Sequence, residues 1–306
     1  MTQATQKSTA VRPRARHYHA DGSPPERFAR LEQLAWRALE RGQVEPHAAG
    51  RERTEPAKLD FTLLGGFSVA RDGCQLDDAG WERRVAQRVV RYLLVRRGRR
   101  VCEDELLEVF WPGRRLDSAR RSLHVAISRA RAVLDTPHYP SVLDACDRVY
   151  GLRLRSGDSV DADRFEMMAL AALAEPGAAR VGLLERAASA WTGEPLPEER
   201  YSDWALGWRE RLGDLHVAVL AALADAYLER GHLVAAALRA RELVELDPLN
   251  EGAHRRLMVA YARSGRRSHA LRQFLVCRRA LIEDLGLEPA AETRGLQQRV
   301  LTGEPV

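Results

Sequence analysis

The sequence predicts a mainly α fold with a small β component: a compact helix-turn-helix domain with a β-hairpin wing, then an all-α array of helical repeats. Three observations carry this. Between residues 59 and 154, short β-forming runs flank a block of helical periodicity. From Asp161 onward the pattern is helical nearly throughout, with Ala and Leu at the buried positions. The chain also matches itself at an offset of 34 residues, the period of stacked helix pairs.

Residues 1–58 mix Pro, Arg, Ala and Glu with little periodicity, and are expected to be largely disordered, with one amphipathic helix from Pro25 to Arg41. His17 and His19 have no second cluster to complete a metal site. The segment 59–157 opens with the β-runs 59–64 and 67–70, separated by Gly65-Gly66. A first helix follows from about Glu82 to Val95 and stops at Gly98. A second runs from about Glu103 to Phe110 and ends before Trp111-Pro112-Gly113. A third starts near Asp117 as N-cap and continues to about Leu134. The β-pattern then returns as 141–144 and 149–154 around a turn at Cys146-Asp147-Arg148, which reads as a hairpin. In 158–306 the offset of 34 aligns Leu223 with Leu257, Tyr227 with Tyr261 and Ala236 with Ala270, with degenerate helical pairs before them. Trp191, Tyr201, Trp204 and Trp208 form an aromatic cluster; the spacing of Trp204 and Trp208 favours core packing over a ligand pocket. His216, His232, His254 and His269 share no metal spacing and read as surface or satisfied residues.

Composition excludes several function classes. Lys7 and Lys58 are the only lysines, neither follows a glycine-rich turn, and a P-loop NTPase is thereby ruled out. No G-x-S-x-G elbow or H-E-x-x-H helix occurs, so no catalytic residues, metal or cofactor are expected. No apolar run approaches membrane-spanning length and no signal peptide opens the chain, which makes a cytoplasmic, nucleoid-associated location the expectation. Cys74, Cys102, Cys146 and Cys277 lack C-x-x-C spacing and read as free thiols. The net charge of +5 divides as +4 over 1–58, +5 over 59–157 and −4 over 158–306, an asymmetry suited to a polyanion at the front.

Projecting the third helix at 100° per residue sharpens this. Ala119, Leu123, Ala126, Ile127, Ala130 and Leu134 fall on one core-facing arc. Arg121, His124, Val125 and Ser128 lie opposite, flanked by Arg120, Arg129 and Arg131, and every formal charge from Arg120 to Arg131 is positive. A solvated helix usually mixes signs. The pattern points to double-stranded DNA, with the third helix in the major groove. Arg120, Arg121, His124 and Ser128 are the candidates for the groove, and Arg129 and Arg131 for phosphates. Val125 suits a thymine methyl or, equally, stiffens the helix. Arg88 on the first helix is a candidate for the backbone, and Arg148 on the wing for a phosphate or the adjacent minor groove. For Arg148, Arg153 and Arg155 a solvated strand surface is an equal alternative.

Sheet, three helices and hairpin in this order resemble the OmpR/PhoB-type winged helix. Leu-Gly-Gly-Phe-Ser-Val (64–69), Trp-Pro (111–112), Ser-Ala-Arg-Arg-Ser-Leu-His-Val-Ala-Ile-Ser-Arg (118–129) and Tyr-Gly-Leu (150–152) are similar to the Streptomyces antibiotic regulatory protein family, SARP. Of that family's "lysine or proline, then Gln-Arg" start to the first helix, only Gln87 and Arg88 match. Residues 161–165, 191–196 and 284–289 resemble the family's bacterial transcriptional activator domain, which is TPR-like. The resemblance implies a sequence-specific transcriptional activator, commonly of a secondary-metabolite gene cluster. It also implies contact of the helical domain with RNA polymerase holoenzyme, and a homodimer on promoter DNA. The alternative is a repeat-based interaction scaffold whose winged helix binds protein.

Overall fold

A computed structural model describes residues 57–77, 81 and 84–306; the helix expected over 25–41, the His17 and His19 pair and Glu82 lie outside the described residues. Strand β1 (Leu59–Thr62) alternates as its sequence requires, with Leu59 and Phe61 buried. It pairs antiparallel with β2 (Ser68–Arg71), which pairs with β3 (Cys74–Gln75). The three helices follow as α1 (Arg84–Val95), α2 (Glu103–Phe110) and α3 (Leu116–Leu134). A second sheet has the order β4-β6-β5, with β4 (Val101–Cys102) laid against the hairpin β5 (Leu143–Cys146) and β6 (Val149–Leu152). Two differences from the sequence reading have simple causes. Helix α3 begins two residues early, with Arg115 and not Asp117 at the N-cap, so Asp117 sits inside the first turn, where its charge favours the positive helix end. Helix α1 buries Ala86, Val89, Val90, Tyr92, Leu93 and Leu94, more than one face, because it is covered by α3 and by the helical part of the chain.

That helical part runs α4 (Asp161–Ala174), α5 (Arg180–Ala190), α6 (Asp203–Glu229), α7 (Leu233–Leu246), α8 (Glu251–Arg263), α9 (Arg267–Leu285) and α10 (Ala291–Thr302). The offset of 34 is written into its turns. His232 N donates to Tyr227 O at 2.8 Å, and Arg266 N donates to Tyr261 O at 2.8 Å. Gly231 and Gly265 take φ of 73° and 76° in these two turns, a left-handed conformation that glycine adopts without a Cβ clash. Leu223 and Leu257, and Ala236 and Ala270, are all buried. Trp204 and Trp208 pack partly buried against the core, whereas Tyr201 is 93% exposed and leaves the aromatic cluster. His216 and His254 are buried; His232 and His269 are exposed. All four cysteines are free. Among the described residues no helix is long and apolar enough to cross a membrane, and no cluster of His, Cys, Asp and Glu could hold a metal ion.

The two parts are joined by a seam. Strand β7 (Ser159–Val160) adds to β1 in parallel, and Asp161 accepts from Leu63 N at 2.7 Å and Leu64 N at 3.1 Å. Burial raises the Asp161 carboxyl above its ordinary range against the pull of these hydrogen bonds. Next to it, 63–67 zips onto 192–198. Gly65 N donates to Glu194 O, Leu196 N to Leu63 O, Thr192 Oγ1 to Leu64 O and Phe67 N to Glu198 Oε1. Gly65 and Gly193 meet backbone to backbone, and a Cβ on Gly193 would stand 2.8 Å from Gly65 Cα. One cluster of buried residues runs from Leu59 to Ala226 across this seam.

Candidate nucleic-acid interface

Helix α3 buries Ala119, Leu123, Ala126, Ile127, Ala130 and Leu134, the arc its periodicity prescribes. Its C-terminal end is held by Arg71, whose guanidinium donates to Val133 O at 2.6 Å and Asp135 O at 3.3 Å, a cation against the negative helix end. The opposite side faces solvent. Arg121, His124, Ser128 and Arg129 are exposed, and Val125 is 41% exposed, high for a valine on a helix of this domain.

Beside this face lies a cleft of about 600 Å³ between α3 and the hairpin, lined by Arg120, His124, Ser128, Arg131 and Arg148, with Glu103 at its floor. The hairpin turns on two residues, Asp147 and Arg148, with φ of 49° and 60°. Two consecutive left-handed residues make a type I′ turn, which suits the twist of the strands but favours Asn and Gly. Arg148 sits exposed at its tip. Burial raises the Tyr150 phenol above its ordinary value, and the neighbouring Glu103 carboxylate adds to this.

Of the nine residues expected at the interface, five therefore line one cleft, and Arg121, Val125 and Arg129 lie on the outer side of the same helix. Arg88 does not join them. Its guanidinium donates to Glu199 Oε1 at 3.1 Å and Oε2 at 3.2 Å, with Ser202 Oγ at 3.4 Å, so it faces the helical part of the chain. Glu199 is 2% exposed and also takes Arg91 Nη1 at 2.9 Å. Burial works to raise the Glu199 carboxyl, but hydrogen bonds from Arg88 and Ser202 outweigh it and hold it below the ordinary range. Two important acids escaped the sequence reading, Glu103 and Glu199; a single acid in a mixed-charge stretch carries no spacing signal.

The winged helix joined to a helical repeat array is shared with proteins named as transcriptional regulators. The bacterial transcriptional activator domain family matches residues 160–301. The chain is 31% identical to the regulatory protein AfsR of Streptomyces coelicolor over 83% of its own length and 25% of AfsR. It is 27% identical to the regulatory protein DnrI of Streptomyces peucetius, covering 81% of this chain and 93% of DnrI. The solved structure of Mycobacterium tuberculosis EmbR in complex with a low-affinity phosphopeptide superposes with a TM-score of 0.69 at 27% identity, over 82% of this chain and 66% of that one. The chain thus spans a quarter of AfsR and just under two thirds of EmbR. It carries the bacterial transcriptional activator domain over residues 160–301 and is similar along most of its length to regulators of the SARP type.

Proposed function

We propose that the chain is a sequence-specific DNA-binding transcriptional activator, with α3 in the major groove and the hairpin against the adjacent backbone. The observation that carries this is the exposed face of α3, where every charge from Arg120 to Arg131 is positive and a solvent-facing valine stands among them. A helix fits the major groove, and arginine, serine and an apolar side chain match base edges and the thymine methyl. Arg121, His124, Val125 and Ser128 form the reading set; Arg129 and Arg148 suit phosphates. The strain of an arginine in a left-handed turn position supports a role for Arg148, since such positions are otherwise given to Gly or Asn. Arg88, engaged with Glu199, contributes to domain packing in this reading.

Resemblance extends the proposal to a cytoplasmic regulator of a secondary-metabolite gene cluster, whose helical array meets RNA polymerase or a second protomer. The test is binding of the full chain to duplexes selected from a random pool, measured against salt. Affinity should fall steeply with salt, and Arg121→Ala should cost roughly 1–3 kcal/mol on the selected duplex. Folded protein that selects no duplex, or binds without salt dependence, would turn the reading toward the interaction scaffold.

A further inference from the structure

Arg120 and Arg131 of α3 each place a donor against an acceptor inside the protein. Arg120 Nε donates to Glu103 Oε1 at 2.6 Å, the arginine side chain being 27% and the glutamate 5% exposed. Arg131 donates to Leu143 O at 3.0 Å, at the root of the hairpin. Glu103 is also the first residue of α2, and its backbone N donates to Arg148 O at 2.8 Å, at the hairpin tip. A single residue thus holds α3 by its side chain and the wing tip by its backbone, across the floor of the cleft.

We infer that Glu103 is a positioning residue that sets the spacing between reading helix and wing, and that Arg120 is held by it and does not touch the nucleic acid. The inference rests on the DNA-binding reading. A buried carboxylate keeps its cation because losing it would leave an uncompensated buried charge. A guanidinium so engaged releases no counterion from DNA, whereas each phosphate neutralised steepens the salt dependence of log K by about 0.9.

The salt slope therefore tests it, using the full chain on random-sequence and selected duplexes. The double variant Glu103→Gln with Arg120→Met removes both charges at similar volume and should keep the wild-type slope. Glu103→Ala frees Arg120 and should steepen the slope on random duplex by about 0.9. It should also lower the selected-to-random affinity ratio by roughly tenfold, the size of one lost base contact. Glu103→Gln alone retains the acceptor and should restore most of that ratio. A merely structural role would weaken binding with no change in slope. The inference is overturned if the double variant flattens the slope by about 0.9, because Arg120 then meets a phosphate, and this holds even if Glu103→Ala fails to fold. It is also overturned if a folded Glu103→Ala keeps the wild-type slope and ratio. Absence of salt-dependent binding by the wild type would remove the DNA-binding reading and this inference with it, a result distinct from either.

Discussion

Arg88 and Arg121 are both arginines on helices of a basic domain, yet one is engaged with a buried carboxylate and the other faces solvent. Charge counts cannot separate them; partners do. The same holds for histidine. His124 is exposed on α3, whereas His216 is buried with its ring stacked on Trp191 at 4.3 Å between centroids. Burial, with the Arg239 charge adding, lowers the His216 pKa from 6.5 to about 4. His254 shifts the same way, chiefly by burial. The folded state then binds fewer protons than the unfolded chain between these values, so stability falls as pH drops from 6.5 toward 4. For His216 the loss amounts to at most about 3 kcal/mol. Urea unfolding at neutral and mildly acidic pH should show it, and His216→Phe should make the pH dependence shallower. An unchanged dependence in that variant would show that His216 titrates alike in the folded and unfolded chain.

At the scale of elements, α3 was legible because burial of one helix face leaves a 3.6-residue rhythm, and six apolar positions satisfied it. The hairpin was legible from β-formers around a turn. Strands β4 and β7 were not, since two residues cannot show an alternation. The cleft itself was only half legible: the rhythm places Arg120 and Arg131 beside the reading face, and only the fold shows each turned toward an acceptor. The hairpin turn carries its own prediction. Replacing Arg148 by Gly relieves a left-handed non-glycine residue and should raise stability by about 1 kcal/mol. The same change removes an exposed cation at the tip, so affinity for random duplex should fall and its salt slope should flatten by about 0.9 if Arg148 meets a phosphate. Thermal unfolding and salt titration on one variant measure both. A stabilised variant with unaltered DNA binding would assign Arg148 to the solvated strand surface.

Over the whole molecule, the feature hardest to see in sequence is that two motifs far apart are one structure. Leu64-Gly65-Gly66-Phe67 and Thr192-Gly193-Glu194-Pro195-Leu196 read as separate punctuation, but they hydrogen-bond to each other along the seam, and no local pattern reports a pairing across 128 residues. Glu199 adds a buried ion pair beside it. Removing that carboxylate by Glu199→Ala leaves Arg91 with its side chain only 10% exposed and without its anionic partner, which should cost about 3–5 kcal/mol. Gly193→Ala is the sharper probe, because its Cβ would meet backbone atoms of Gly65 and its φ of 154° is strained for any side chain. If the seam couples the winged helix to the helical array, the Leu64 and Leu196 amides should exchange with solvent as slowly as the amide of Leu123 in the core of α3, because all three open only with the shared core. In Gly193→Ala the two seam amides should exchange faster than that of Leu123, and unfolding should separate into two steps. Seam amides that already exchange fast in the wild type would mean that the winged helix and the array move independently, and the fixed placement of α3 relative to the array would then play no part in activation.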